Sequence, residues 1–197
     1  MAYFLNQFAN LMWKIDLCQI WLISLLFLSL SSTLFAIPHG IQYNSMAIDD
    51  IENGGCSICY SAPYHEVTTS NDIGSCTGPV LFVGAKEWEW WDSYMFLGAF
   101  GLASEVLKRT ELNTPHEYNG VYWYFTYGKS FGFLKDNDLH QNTTADTGTT
   151  NADSRLSWNV DNGLDGYRVG AEIVVSYQIP WWKYIYNCPN NFSCFGC

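Results

Sequence analysis

Hydrophobic and polar positions change register several times along this chain, and each change predicts an element. The run RLSWNV alternates: Leu156, Trp158 and Val160 point one way, and Arg155, Ser157 and Asn159 point the other. A period of two is the mark of a half-buried strand. DNGLDG then supplies turn chemistry. Next, YRVGAEIVVSY sets Tyr167, Val169, Ala171, Ile173 and Val175 on one face, so a continuous strand is expected. PVLFVGAKEWEW and WWKYIYNC also read as strands.

NGVYWYFTYGKSFGFLKD predicts a hairpin, with two aromatic runs flanking Gly128-Lys129. A Gly in first place of a two-residue loop fits a type II′ turn. That register sets Phe125 opposite Gly132 and Trp123 opposite Leu134. Both hairpin faces are aromatic, so one must face the core. The other is covered by a further element or left open to a ligand.

SYMFLGAFGLASEVLKRT carries a helix-like stripe of Phe96, Phe100, Ala103 and Leu107, yet Gly98 and Gly101 penalise a helix interior by about 1 kcal/mol each. A strand is expected there. The polar, Thr-rich segment 137–154 reads as an exposed loop. Residues 37–79 show little periodicity and much Gly, Ser, Asn and Cys, which predicts a loop-rich lead-in. Six to eight short strands separated by turns then imply an all-β fold, an antiparallel β-sandwich resembling a jelly roll, across residues 80–188. A Cys-rich tail, 189–197, is expected to pack on it.

The first segment differs in kind. Residues 17–38 bear no charge, Lys14 precedes the apolar run Ile20–Ala36, and small Ala36 stands before Ile37-Pro38. This order predicts a signal peptide over residues 1–36, cleaved near Ala36. The alternative is an uncleaved anchor, although the run of about 17 apolar residues is short for spanning the bilayer.

Cysteine counting agrees with export. The chain has seven Cys, and removing Cys18 with the leader leaves six: Cys56, Cys59, Cys76, Cys188, Cys194 and Cys197. Six suggest three disulfides, and bridges between the early and late clusters would close loops of over a hundred residues. The rival arrangement is zinc held by Cys56/Cys59 and Cys194/Cys197. An oxidising compartment disfavours it. Sequons at Asn142-Thr143-Thr144 and Asn191-Phe192-Ser193 mark Asn142 and Asn191 as glycosylation candidates. A secreted, extracellular glycoprotein is the expectation, with no stable membrane span once the leader is removed.

Composition narrows the function. The net charge of −10 and the scattered Lys and Arg lack the basic footprint that nucleic acid requires. Aromatics at 17% favour pleated surfaces. In EWEWWD, Trp88 and Trp90 share one strand face, and Glu87, Glu89 and Trp91 share the other. PWWKY repeats the doublet with Trp181 and Trp182. Neighbours on a strand point oppositely, so one Trp of each pair leaves the core face unless a second layer covers it. Trp91 and Trp182, with Glu89 and Asp92 beside them and Tyr122 and Tyr124 on the hairpin, are candidates for a surface that stacks on a glycan. Calcium is a possible cofactor, since Asp136, Asp138, Asp161 and Asp165 supply loop oxygens, although the spacing is not that of an EF-hand.

Enzyme signatures are sparse: no G-x-S-x-G, no H-E-x-x-H and no phosphate loop. The chain is therefore expected to be a secreted, non-catalytic module binding an extracellular glycan or surface protein. One alternative is a glycan-cleaving hydrolase drawing its carboxylates from Glu87, Glu89, Asp92 or Glu172. Another is a self-associating matrix protein.

Overall fold

A computed structural model describes residues 37–87, 94–141, 145–161, 167–174 and 181–192, all within one unit spanning Phe35–Cys197. Of the sequence-predicted features, the leader, Glu89, Trp91, Asp92, Asn142, Asp165, Cys194 and Cys197 lie outside the described residues.

Two antiparallel sheets pack face to face. The first has five strands in the order β1 (Ile41–Ala47), β4 (Tyr94–Leu102), β3 (Val80–Glu87), β11 (Trp181–Cys188) and β2 (Ser57–Pro63). The second has six in the order β10 (Glu172–Val174), β9 (Tyr167–Val169), β8 (Leu156–Asn159), β7 (Ser130–Leu134), β6 (Val121–Phe125) and β5 (His116–Tyr118). Chain order explains the contrast. β5 to β10 run as a meander, each strand pairing with its successor. The first sheet is closed by the chain's last strand, β11, which slots between β3 and β2.

The core lies between the sheets. Leu81, Val83 and Ala85 of β3, Leu97 and Ala99 of β4, and Ile185 of β11 meet Trp123, Phe125, Phe131, Phe133, Leu156, Trp158 and Val169. The predicted alternation in RLSWNV holds, since Leu156, Trp158 and Val160 all enter this core. Trp158 packs edge-on against Tyr64 at 6.1 Å between ring centroids and tilted against Phe131 at 5.2 Å. Each such ring pair adds roughly 0.5–1.5 kcal/mol beyond area burial.

Both outer faces are partly covered as well. Over the first sheet, the helix α1 (Ile48–Asn53) and Phe192 cover Phe82, Phe100 and Tyr186. The disulfide Cys56–Cys188 fastens this layer across 132 residues. It joins the residues just beyond the last β2–β11 pair, Ser57 and Asn187. A second bridge, Cys59–Cys76, closes a 17-residue separation between β2 and the end of α2 (Ser70–Gly74). Cys56 and Cys59 are thus each spent in a disulfide, which removes the zinc arrangement that required both as thiolates.

Several expectations need correction. The hairpin pairs Phe125 with Phe131, Tyr124 with Gly132 and Tyr122 with Leu134, one residue away from the register predicted. The turn runs Thr126–Lys129, closed by Lys129 N–H donating to the Thr126 carbonyl at 3.1 Å. Gly128, at φ +60°, fills its third place, where a left-handed residue is required. A one-residue slip exchanges faces, so Trp123, Phe125, Phe131 and Phe133 all point inward, and Tyr124 lies over Gly132.

The expected long strand from Tyr167 is a second hairpin, because Gly170 at φ +60° turns the chain between β9 and β10. Residues Tyr94–Leu102 form a strand as expected, followed by a short helix α3 (Ala103–Val106). The lead-in contributes both edge strands of the first sheet, β1 and β2. The Thr-rich segment is no exposed loop: Leu139, Gln141, Ala145, Asp146 and Ser154 are buried. It covers the outward face of the β6–β7 hairpin, with Leu139 packed on Tyr124 and Leu134.

Candidate functional site

Two buried arginines hold that covering segment in place. Arg155 donates through Nη1 to Asp146 Oδ2 at 2.7 Å and to the Asp138 carbonyl at 2.9 Å. Its Nη2 reaches Asp136 Oδ1 and Asp138 Oδ2, each at 3.3 Å, and its Nε donates to the Thr150 carbonyl at 2.7 Å. Arg168 donates to the carbonyls of Gly148 and Gly170. Asp146 also accepts the backbone N–H groups of His140 at 3.2 Å and Gly148 at 2.9 Å. Every arm of this network ends on the protein itself, which gives it a structural role.

The calcium candidates fall here and nearby. Asp136 and Asp138 face the Arg155 guanidinium, a fixed cation where a metal would need unopposed oxygens. Hydrogen bonding from the Thr150 side chain, then from His140, holds the Asp138 carboxyl below its ordinary range. Asp161 is engaged elsewhere, by the backbone N–H of Ser70 at 2.6 Å and by the Ser70 hydroxyl. Among the described residues, no group of three or more His, Cys, Asp or Glu side chains could hold a metal ion.

The aromatic candidates separate. Trp182 is half-buried on the outward face of β11, in a row with Tyr184 and Tyr186 at centroid spacings of 6.4 and 6.1 Å. The rings are tilted by only 31° and 27° to one another. Tyr186 is fully covered, so the row presents Trp182 and Tyr184 at its open end. Tyr122 is half-buried on the second sheet. Tyr124 is completely buried and donates its hydroxyl to the Leu156 carbonyl at 3.1 Å. Desolvation pushes that phenol well above its usual range. Its ring is out of reach of a ligand, because the segment expected to be open loop covers it. Of the hydrolase carboxylates, Glu87 ends β3 and Glu172 begins β10 in the other sheet; both are exposed.

The most exposed large hydrophobic side chain among those described is one that sequence reasoning did not single out. Tyr127, 78% exposed, stands at the tip of the β6–β7 hairpin. With Thr126 and Lys129 it forms one wall of a groove, and Arg109, Thr110, Glu111 and Leu112 form the other. The groove volume is about 460 Å³, within the range of small-ligand sites. A second depression, at His39, Tyr43 and Lys135, holds only about 280 Å³.

The groove walls are fixed from below. Thr110 N–H donates to the Phe125 carbonyl, and Phe125 N–H donates to Thr110 Oγ1, each at 3.1 Å. Thr126 Oγ1 donates to Gln141 Oε1 at 2.9 Å, leaving the Thr110 hydroxyl to donate to Thr126 at 3.2 Å. Buried Gln141 then ties both walls together. Its Nε2 donates to Ser130 Oγ at 2.7 Å, its Oε1 accepts Asn113 N–H at 3.2 Å, and its own N–H donates to Asn113 Oδ1 at 2.6 Å. Above this floor the Arg109 guanidinium carbon lies over Phe125, 3.5 Å from the ring centroid, and 5.8 Å from that of Tyr127.

Comparison with protein-family models, with characterised proteins and with solved structures gave no match.

Proposed function

We propose that this protein is an exported, non-catalytic glycan-binding module, and that the hairpin-tip groove is its binding site. The observation that carries this reading is Tyr127: a large aromatic ring held open to solvent beside a preformed groove of ligand size. An aromatic side chain offers an apolar face and a polar tip at low entropic cost. Sugars present the matching pair, a C–H face and a ring of hydroxyls. Glu111 supplies acceptors and Arg109 supplies donors around the ring. The half-buried Trp182 and Tyr184 on the first sheet provide a second flat surface of the same chemistry.

Export is supported by the disulfides, which persist in oxidising compartments. Among the described residues no helix is long and apolar enough to cross a membrane. Asn191 is exposed, as a glycosylation acceptor must be.

A glycan panel tests the reading. The intact protein is expected to retain a subset of glycans without releasing products. Tyr127→Ala should lower that binding about tenfold, the worth of one anchoring aromatic, without changing the melting temperature. Equal retention by the variant would remove the groove from the site. Silence across the panel would remove glycan binding altogether.

A further inference from the structure

We infer that the groove selects acidic sugars, with the Arg109 guanidinium as the anchor for a saccharide carboxylate. This rests on the glycan reading above and names its ligand class.

Charge placement is the first ground. The protein carries 9 Lys and Arg against 19 Asp and Glu. Arg155, Arg168 and Lys183 are buried and unavailable to a ligand. Arg109, one of the remaining cations, lines this groove beside Glu111. On an acidic molecule, the exposed Arg109 guanidinium is a local cationic point. An acidic ligand repelled by the bulk of the surface finds its complement there.

Geometry is the second ground. A guanidinium is planar and presents parallel N–H donors that match a carboxylate in two places. Contact with the Phe125 ring restrains the Arg109 guanidinium before any ligand arrives, so less side-chain freedom is lost on binding. Among the described residues no carboxylate forms an ion pair with Arg109, although Glu111 is two positions away. Its donors are therefore open to a ligand in the groove that it lines. The open ring of Tyr127, 5.8 Å from the same guanidinium, would take the sugar's apolar face while its carboxylate meets Arg109. Leu112, 49% exposed, extends the apolar part of the wall.

Calorimetric titration of the intact protein at low ionic strength tests this with two probes of identical backbone. One is an oligogalacturonate; the other is its methyl ester, which keeps the sugar faces and loses the charge. The free acid is expected to bind about tenfold more tightly or better, as a charge-assisted bidentate contact implies. Added salt should erode its advantage. Arg109→Ala should bring the acid down to the ester's affinity, and Arg109→Lys should recover only part of the difference. Tyr127→Ala should weaken both probes alike. Equal binding of acid and ester would overturn the inference and leave glycan binding standing. Failure of the acid to bind at all would also overturn it. If the wider panel were silent too, the glycan reading would fall with it.

Discussion

Lys183 is a charged residue in a place that should exclude charge. It lies on β11 between Trp181 and Ile185, facing the core, fully buried. Its ammonium donates to the Glu66 carbonyl and sits 5.8 Å from the Tyr167 ring centroid. Burial pushes its pKa down to about 7, and the charges of Glu66 and Asp72 recover only part of the loss. The sign of the consequence is fixed. Between about 7 and the ordinary lysine value, the unfolded chain holds a proton that the folded chain does not. Stability therefore rises with pH through that window, by at most about 1.4 kcal/mol per pH unit. Above it, Tyr60, whose folded pKa is raised to about 12 by burial, works in the opposite direction, because the unfolded phenol ionises first. Lys183→Met is expected to stabilise the protein at neutral pH and to flatten the slope. Urea unfolding from about pH 7 to pH 9 checks this; an unchanged slope would mean the amine is solvated.

Segment 137–154 shows most clearly what pattern reading could not see. Its Thr, Asn and Asp content signals an exposed loop, yet it forms a layer over the β6–β7 hairpin. Buried polar groups look like surface groups in a sequence. Only their partners distinguish them, and those partners, Arg155 just before β8 and Arg168 on β9, sit in positions that alternation assigns to solvent. Asp146→Ala should expose the difference. It strands the buried Arg155 without its closest carboxylate, so a loss of about 3–5 kcal/mol is expected. An exposed loop would lose almost nothing, and chemical denaturation distinguishes the two.

Alternation was legible where one face met the core, as in Leu156, Trp158 and Val160. It failed at the turns. The glycine in Tyr127-Gly128-Lys129 fits two turn types whose registers differ by one residue, and only packing of Phe131 inward decides between them. The same limit hid the groove. An aromatic beside a turn glycine was the one signal for Tyr127, and that signal depends on knowing where the strands end. Of the expected aromatic candidates, Trp182 sits on a partly open face, Tyr122 is half-buried and Tyr124 is sealed.

For the molecule as a whole, the first sheet joins strands from early and late in the described residues. The C-terminal strand β11 is interior to the first sheet, and the bridge Cys56–Cys188 locks its end to the start of β2. Cross-linking residues this far apart removes much of the unfolded chain's freedom, worth about 5 kcal/mol in the chain-entropy account; the shorter Cys59–Cys76 loop is worth about 3 kcal/mol on the same account. The double substitution Cys56→Ser, Cys188→Ser should therefore cost about 2–5 kcal/mol and lower the thermal midpoint, while the strand content seen by circular dichroism is retained at low temperature. Loss of strand signal without heating would mean that the bridge creates the fold, where we expect it only to secure a sandwich formed by its core.

The claim at the centre of this account is where the ligand sits. Amide chemical-shift mapping of the labelled protein, titrated with the tightest oligosaccharide from the panel, addresses it directly. Shifts concentrated at residues 109–112 and 126–129, with smaller ones at Asn113 and Gln141 beneath them, are the predicted result. Shifts confined to β11 around Trp182 and Tyr184, or spread without focus over both sheets, would contradict it.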